Sequence, residues 1–314
     1  AFNLLYKGVD VYRSTGYYQN FSDAHNLMSY RHTRAHNSLL VNGIGQPYST
    51  EGYGSVMRAM GGQHISYCLG DASHAYRSIS NDPMWVDYFK QAGIEQTPEN
   101  GFGATPLTKY RRHVLMLHPH TVIVYDELEA SEAVRWEWLL HSPTEFKIDA
   151  VKKTLSTDNK TKGWVAVTQL FGGHVFTLSQ TDRFVVPPAI TGAEYPNQWH
   201  LTARVDGCSA TRFLAIIQVG DEAVPIINRD GDTFNVGDWT IKAVLDASKA
   251  PELTVSHRTE QAVFSYGTDN PALNGNFYSR QFTGSSLLYD EIDGAYQVVE
   301  MTDRSPISTR VVNQ

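Results

Sequence analysis

"RRHVLMLHPHTVIVYDELEASEAVRWEWLLHS", residues 111–142, decides the fold class. "HVLMLHP" (113–119) and "TVIVYDELEA" (121–130) flank a Pro-His turn and read as a hairpin of strands. "AVRWEWLLHS" (133–142) reads as the third strand of a meander. Its Val134, Trp136, Trp138 and Leu140 share one face because strand side chains alternate with a period of two. The same texture continues through "GWVAVTQLF", "HVFTLSQ", "WHLTARV", "TRFLAIIQV" and "DWTIKAVLD" to about residue 247. Runs spaced by ~8 to 12 residues predict an all-β chain built as a large antiparallel β-sandwich.

Outward from that core, helix is expected only in an insertion near 71–93. There "DASHAYRSI" (71–79) and "PMWVDYFKQAG" (83–93) carry helical texture. Asn-Gly at 42–43 and Asp-Gly at 206–207, 230–231 and 293–294 mark turns, since these residue types tolerate positive φ. From 248 to 314 the chain is richer in Ser, Asn and Gly, and "SLLYDEIDGAYQVVEM" reads as a hairpin. A smaller C-terminal sheet is therefore expected after a main sandwich over 1–247. The chain opens on "AFNLLYKG", already alternating like a strand, and reads as the C-terminal portion of a longer protein.

Composition excludes several classes. The 314 residues carry a formal charge of −7 with no basic block, which argues against nucleic-acid binding. No apolar run reaches the ~18 residues of a membrane span. The two cysteines, Cys68 and Cys208, lack metal spacing and read as two thiols rather than a disulfide. Asn20 and Asn159 begin glycosylation-type sequons that carry meaning only in a glycosylating host. GxSxG, P-loop, HExxH and post-strand GxGxxG motifs are all absent, so triad hydrolases, NTPases and Rossmann enzymes have no support.

The chemistry concentrates between residues 12 and 47, in "YRSTGYYQNFSDAHNLMSYRHTRAHNSLLVNGIGQP". Seven positions hold Arg31, His32, Arg34, His36 and Asn37. On an extended strand His32, Arg34 and His36 would share a face, opposite Arg31, Thr33 and Ala35. That face is either a polar strand end with locally bonded histidines, or a site. A site would use the imidazoles as metal ligands or proton carriers and the guanidinium as an anion holder. Elsewhere, His113, His118 and His120 are expected at a solvated hairpin end, and His141 reads either as a satisfied histidine at a sheet rim or as a site residue. His64 and His74 could line a cleft.

Taken together, "STGYY…YRHTRAHNSLLVNGIGQ" resembles the heparinase II/III-like C-terminal domain of bacterial polysaccharide lyases. That family carries "D-x-G-x-Y" and, about twenty residues on, "R-x-T-x-x-H-N-[ST]-[LIV]-x-[LIV]-[DN]-G-x-x-Q". Arg31, Thr33, His36, Asn37, Ser38, Leu39, Val41, Asn42, Gly43 and Gln46 fit it. "SHAY…YRRHVLMLHPHTVIVYDELEA" and "WEWLLHS" are similar to the family's later strands. The resemblance covers residues 1 to about 145.

It implies an upstream α/α-toroid domain, a super-sandwich, and a cleft between them that cleaves a uronate-containing acidic polysaccharide by β-elimination. Glycosaminoglycans and alginate are such glycans. It also implies a periplasmic or secreted bacterial protein with no organic cofactor. In these terms His36 and Arg31 are the expected catalytic residues, and Tyr17, Tyr18, His25, His32, Arg34 and Asn37 the expected substrate contacts. A zinc or other divalent metal would be held by His36, with His25 or Asp23 standing in for the family's Asp, because Ser14 occupies that position. The family's "H-x-H-x-D" would fall just before Ala1. The alternative is a non-catalytic carbohydrate-binding or scaffold sandwich.

Overall fold

The computed structural model describes residues 1–267 and 279–303, with the backbone of short strands at Ala272–Leu273, Asn276–Phe277 and Ser308–Arg310. It is an antiparallel β-sandwich of two large sheets. The first sheet uses β1 (Leu39–Val41), β2 (Ser55–Gly61), β3 (Ile65–Asp71), β4 (Leu107–Leu117), β5 (Thr121–Ser142), β6 (Lys147–Asp149), β7 (Thr154–Asn159), β8 (Trp164–Gly172), β9 (Thr177–Thr181) and β10 (Trp199–Gly220). Its order is β2-β3-β4-β5-β10-β8-β7-β6, with β1 on β5 and β9 on β10. The second sheet begins at Ile227, ahead of the expected change at 248, so "DWTIKAVLD" belongs to it. Its 286–301 hairpin pairs as the sequence predicts, and the last residues of the 248–314 region lie outside the described ones.

The hairpin at 113–130 is present, with Leu117 opposite Thr121. Residues 133–142, however, are not a separate third strand of a meander. Residues 121–142 form one strand of 22 residues, and residues 199–220 another of the same length. "ASEA" at 130–133 offers neither Gly nor Pro, and instead of a turn it forms a bulge where the pairing to β10 jumps from Cys208–Val134 to Ala210–Glu129. Asp206-Gly207 is likewise no hairpin turn. It makes a bulge in β10, where the pairing to β5 slips between Val205 and Cys208 and Gly207 takes φ +71°. Each long strand therefore pairs with different neighbours at its two ends.

β5 is buried on both faces from Thr121 to Leu128. Val122, Val124, Val134, Trp136, Trp138 and Leu140 pack in the outer core, and Ile123 and Tyr125 in the core between the two sheets. The same alternation puts two buried carboxylates back to back. Asp126 binds Arg112 through two 2.7 Å hydrogen bonds and accepts a third from Trp138 Nε1. Glu127 meets His113, Tyr266 and Lys109 in the inter-sheet core. His113 and Lys109 hold the Glu127 carboxyl well below the usual carboxylate range, against the burial that raises it.

His113 thus lies fully buried rather than at a solvated hairpin end, whereas His118 and His120 are exposed. Among the described residues only Pro83–Gln91 forms an α-helix (α1), capped by Asp82, whose side chain accepts from the Met84 N–H. Residues 71–79 make turns instead, because Asp71 and Ala72 bond locally to the N–H groups of Ser73 and Ala75. Cys68 and Cys208 are free and half-buried. Among the described residues no helix is long and apolar enough to cross a membrane.

Candidate functional site

The segment "YRHTRAH" is not a strand. Asn26–Tyr30 forms a π-helical turn, closed by the Arg31 N–H on the Asn26 carbonyl, and Thr33–Ala35 a 3₁₀ turn. The His32 side chain caps the second turn by accepting from the Arg34 N–H at 3.1 Å. A histidine committed to its own backbone in this way offers the chain an alternative to a sheet ladder. The shared face expected of His32, Arg34 and His36 is therefore broken up, and the three side chains have different roles.

His32 is fully buried. Its Nε2 donates to the Gly101 carbonyl at 2.9 Å, and its Nδ1 also accepts from Arg34 Nε at 3.0 Å. Burial, and then the Arg34 charge, push its pKa down to about 3. Arg34 is spent on the Asn100 carbonyl and on His32. Asn37 is also buried: its amide donates to the Phe2 carbonyl and its oxygen accepts from the His141 N–H. Arg112 reaches the same segment through the Asn37 carbonyl at 2.7 Å. His32, Arg34 and Asn37, all expected substrate contacts, sit instead inside the scaffold that holds the loop.

Gly101 shows how tight that scaffold is. It has φ +89°, and a Cβ there would lie 2.2 Å from Arg34 Nη2 and 2.7 Å from His32 Nε2. Gly101→Ala is expected to cost ~1 to 3 kcal/mol in urea unfolding, from the left-handed backbone alone and more if the His32–Arg34 pair must shift.

Tyr17 and His25 face another way. His25 is 1% exposed, accepts from the Tyr17 N–H and donates to the Val186 carbonyl at 2.6 Å. The Tyr17 hydroxyl donates to the Pro196 carbonyl at 2.5 Å, and both rings pack on Phe184. They fasten the 184–196 loop. Tyr18 by contrast is 51% exposed.

His36 and Arg31 do come together. They line an open cleft of about 520 Å3 with Ser14, Tyr30, Tyr48 and Trp85. His36 Nε2 donates to the Arg31 carbonyl at 3.2 Å, which leaves Nδ1 to accept from the Ser14 hydroxyl at 2.8 Å. Burial lowers its pKa, so the ring is neutral at pH 7. The Arg31 guanidinium lies 4.9 Å from the Phe21 ring and 5.0 Å from Trp85. It has no acidic partner among the described residues, and its Nε is buried without a hydrogen bond. A cation held by aromatic faces and lacking a counter-ion is ready to take an anion.

The residues do not fit a divalent metal. Both ring nitrogens of His36 and of His25 are engaged within the protein, and a serine hydroxyl stands beside His36 where a metal would need a carboxylate. Among the described residues no three His, Cys, Asp or Glu side chains are grouped to hold one. His64 binds the buried Asp290 and so ties the two sheets together, while His74 stacks on Tyr53; neither lines the cleft. Sequence reasoning passed over Trp85 and Tyr48. The only signal for Trp85 was its place in the single helical insertion.

The family model "Heparinase II/III-like, C-terminal" matches residues 1–203. A heparinase III superposes with a TM-score of 0.56 at 13% identity, covering 85% of this chain and 35% of its own. A heparan sulfate lyase from Pedobacter heparinus superposes at 0.52 with 12% identity, covering 82% and 34%. A further heparinase III structure gives 0.54 at 15% identity, covering 85% and 35%. The chain thus spans about a third of the length of these structures. No curated protein sequence matches it. With the motif residues of the 31–46 segment in place and the family model reaching through the first sheet to the start of β10, this chain belongs to the heparinase II/III-like C-terminal family.

Proposed function

We propose that this chain is the β-sandwich portion of a polysaccharide lyase that cleaves a uronate-containing acidic glycan by β-elimination. The observation that carries the reading is Arg31, a half-buried side chain without a counter-ion among the described residues, set beside a neutral histidine in an open cleft. β-Elimination removes the proton at C5 of the uronate, breaks the C4–O bond and forms a C4=C5 double bond. The carboxylate must lose its charge for the C5 proton to become acidic, and Arg31 supplies that neutralisation. His36 offers a neutral Nδ1 that can accept a proton through or in place of the Ser14 hydroxyl. His32, Arg34 and Asn37 support these two groups from inside.

An α/α-toroid domain in the same protein would close the cleft and supply the remaining acid or base. A periplasmic or secreted location suits a polymeric substrate. Because Ser14 replaces the family's carboxylate, a non-catalytic glycan-binding sandwich is the second reading.

One experiment separates them. The 314-residue chain should bind oligouronates weakly, with affinity falling as salt rises, and should not cleave them. The full-length protein should release an unsaturated uronate that absorbs in the ultraviolet. Binding without product from the full-length protein would leave the non-catalytic reading. No binding by either would overturn both.

A further inference from the structure

The surroundings of Arg31 extend beyond the cleft. Tyr18, Phe21, Tyr30, Tyr48, Trp85 and Tyr88 form a continuous run of ring contacts with centroids 5.2 to 6.2 Å apart. Part of this run is ordinary packing: α1 is anchored by Phe89, 2% exposed, in a small core with Leu27, Met28 and Phe102. Tyr18 and Phe21 are not needed for that anchor. They are 51% and 39% exposed, and their rings meet at 5.4 Å. The exposed aromatic side chains among the described residues are Tyr18, Phe21, Tyr53 and Phe282, so two of the four sit together beside the cleft.

Their position relative to Arg31 is specific. Phe21 contacts the guanidinium and also meets Tyr18 and Tyr88. Tyr18 and Phe21 meet edge to face at 83°, so a pyranose stacked on one ring touches the edge of the other and neighbours an anion on Arg31. A pyranose ring suits such a shelf, because its C–H face is apolar and slightly positive and the ring face of an aromatic is negative.

We propose that Tyr18 and Phe21, backed by Trp85 and Tyr88, form a second sugar subsite that binds the ring adjacent to the uronate held by Arg31. This rests on the reading of the cleft as an acidic-glycan site. The shelf makes recognition depend on chain length: Arg31 selects the charge, and the aromatics reward a second ring.

The test uses the 314-residue chain with three probes: an unsulfated tetrasaccharide of alternating glucuronate and N-acetylglucosamine, free glucuronate, and the neutral tetrasaccharide cellotetraose. Phe21→Ala should weaken tetrasaccharide binding about tenfold, in line with loss of one stacked ring. Phe21→Tyr should restore the tetrasaccharide affinity, and Tyr18→Ala, which does not touch the guanidinium, should change glucuronate binding less than about twofold. Arg31→Ala should weaken both acidic ligands. Tyr18→Ala, whose ring contacts are with Phe21 and Tyr30, repeats the measurement without disturbing the guanidinium.

If both aromatic variants bind the tetrasaccharide as wild type does while Arg31→Ala loses it, the shelf is wrong and the acidic-glycan reading stands. If Phe21→Ala weakens glucuronate as much as tetrasaccharide and Tyr18→Ala weakens neither, Phe21 acts only through Arg31 and the shelf is again overturned. Aromatic-dependent binding of cellotetraose with no binding of either acidic probe would uphold the shelf and sink the acidic-glycan reading. Failure to bind any of the three overturns both.

Discussion

Between pH 7 and pH 4 the fold is expected to lose on the order of 7 kcal/mol of stability from His32 and His200 alone, most of it before the carboxylates of an unfolded chain begin to protonate. The cause is a set of histidines kept neutral by burial. His32 has its pKa pushed down to about 3 and His200 to about 4, each chiefly by desolvation. Burial also lowers His36, His113 and His141. In the unfolded chain a histidine titrates near 6.5, so below that pH the unfolded state takes up protons that the folded state refuses. The contribution is fully present above 6.5. It is lost as pH falls, until the folded pKa values are reached.

Each such histidine contributes about 1.4 kcal/mol per pH unit inside that window. Glu127 acts in the same direction but later, since its depressed folded pKa costs stability only once pH falls into the ordinary carboxylate range. Urea midpoints at pH 7, 6, 5 and 4 read the effect, and histidine dominates the interval from about 6 to 5, below the Ala1 α-amino group, whose pKa burial pushes down to about 6. His32→Gln should be less stable at pH 7 but show a shallower slope. A midpoint that stays constant from pH 7 to 5 would mean these rings are hydrated or charged in the native state, contrary to the geometry.

If the proposed function holds, Arg31→Ala in the full-length protein is expected to lower kcat/KM on a uronate polymer by on the order of 10² or more, the scale of losing one charge-stabilising group from a closed site. Among the described residues the guanidinium has no carboxylate partner and rests on Phe21 and Trp85, so its removal leaves no buried charge there unpaired. Stability at pH 7 should therefore change little. Arg31→Lys is a useful companion. It keeps the charge but loses the planar fork and most of the contact with the two rings, so it should recover only part of the activity. Activity within about threefold of wild type for Arg31→Ala, measured with the polymer below saturation, would remove Arg31 from the reaction.

The contrast between Arg31 and Arg34 shows how far a sequence carries a site. Three residues apart and of one type, they are equivalent as letters. Arg34 points inward to His32 and the Asn100 carbonyl, whereas Arg31 turns out onto Phe21 and Trp85. The difference arises from the π-helical and 3₁₀ turns that replace the strand read from residues 30–36. Those turns depend on partners remote in the chain, such as Gly101 for His32. The same holds for Tyr17 and His25, which the 184–196 loop claims from a distance of more than 150 residues.

The kind of fold and the identity of the motif were legible in the chain alone. Period-two alternation from 111 to 142 dictated which side chains are buried on each face, because a strand allows no other arrangement of neighbours. Trp136, Trp138 and Leu140 are accordingly all fully buried. The positions from Arg31 to Gln46 likewise pointed to the family without any knowledge of the fold. Tertiary structure decided that β5 and β10 run on for 22 residues each: the absence of Gly and Pro at 130–133 permits continuity, and the strands that pair at each end hold it across the bulges. It also decided that Arg31, His36 and Tyr18 reach the cleft or its border, while Tyr17, His25, His32, Arg34 and Asn37 are taken up by the scaffold. Orientation of a side chain in irregular backbone is set by long-range hydrogen bonds and burial, and neither is written in spacing.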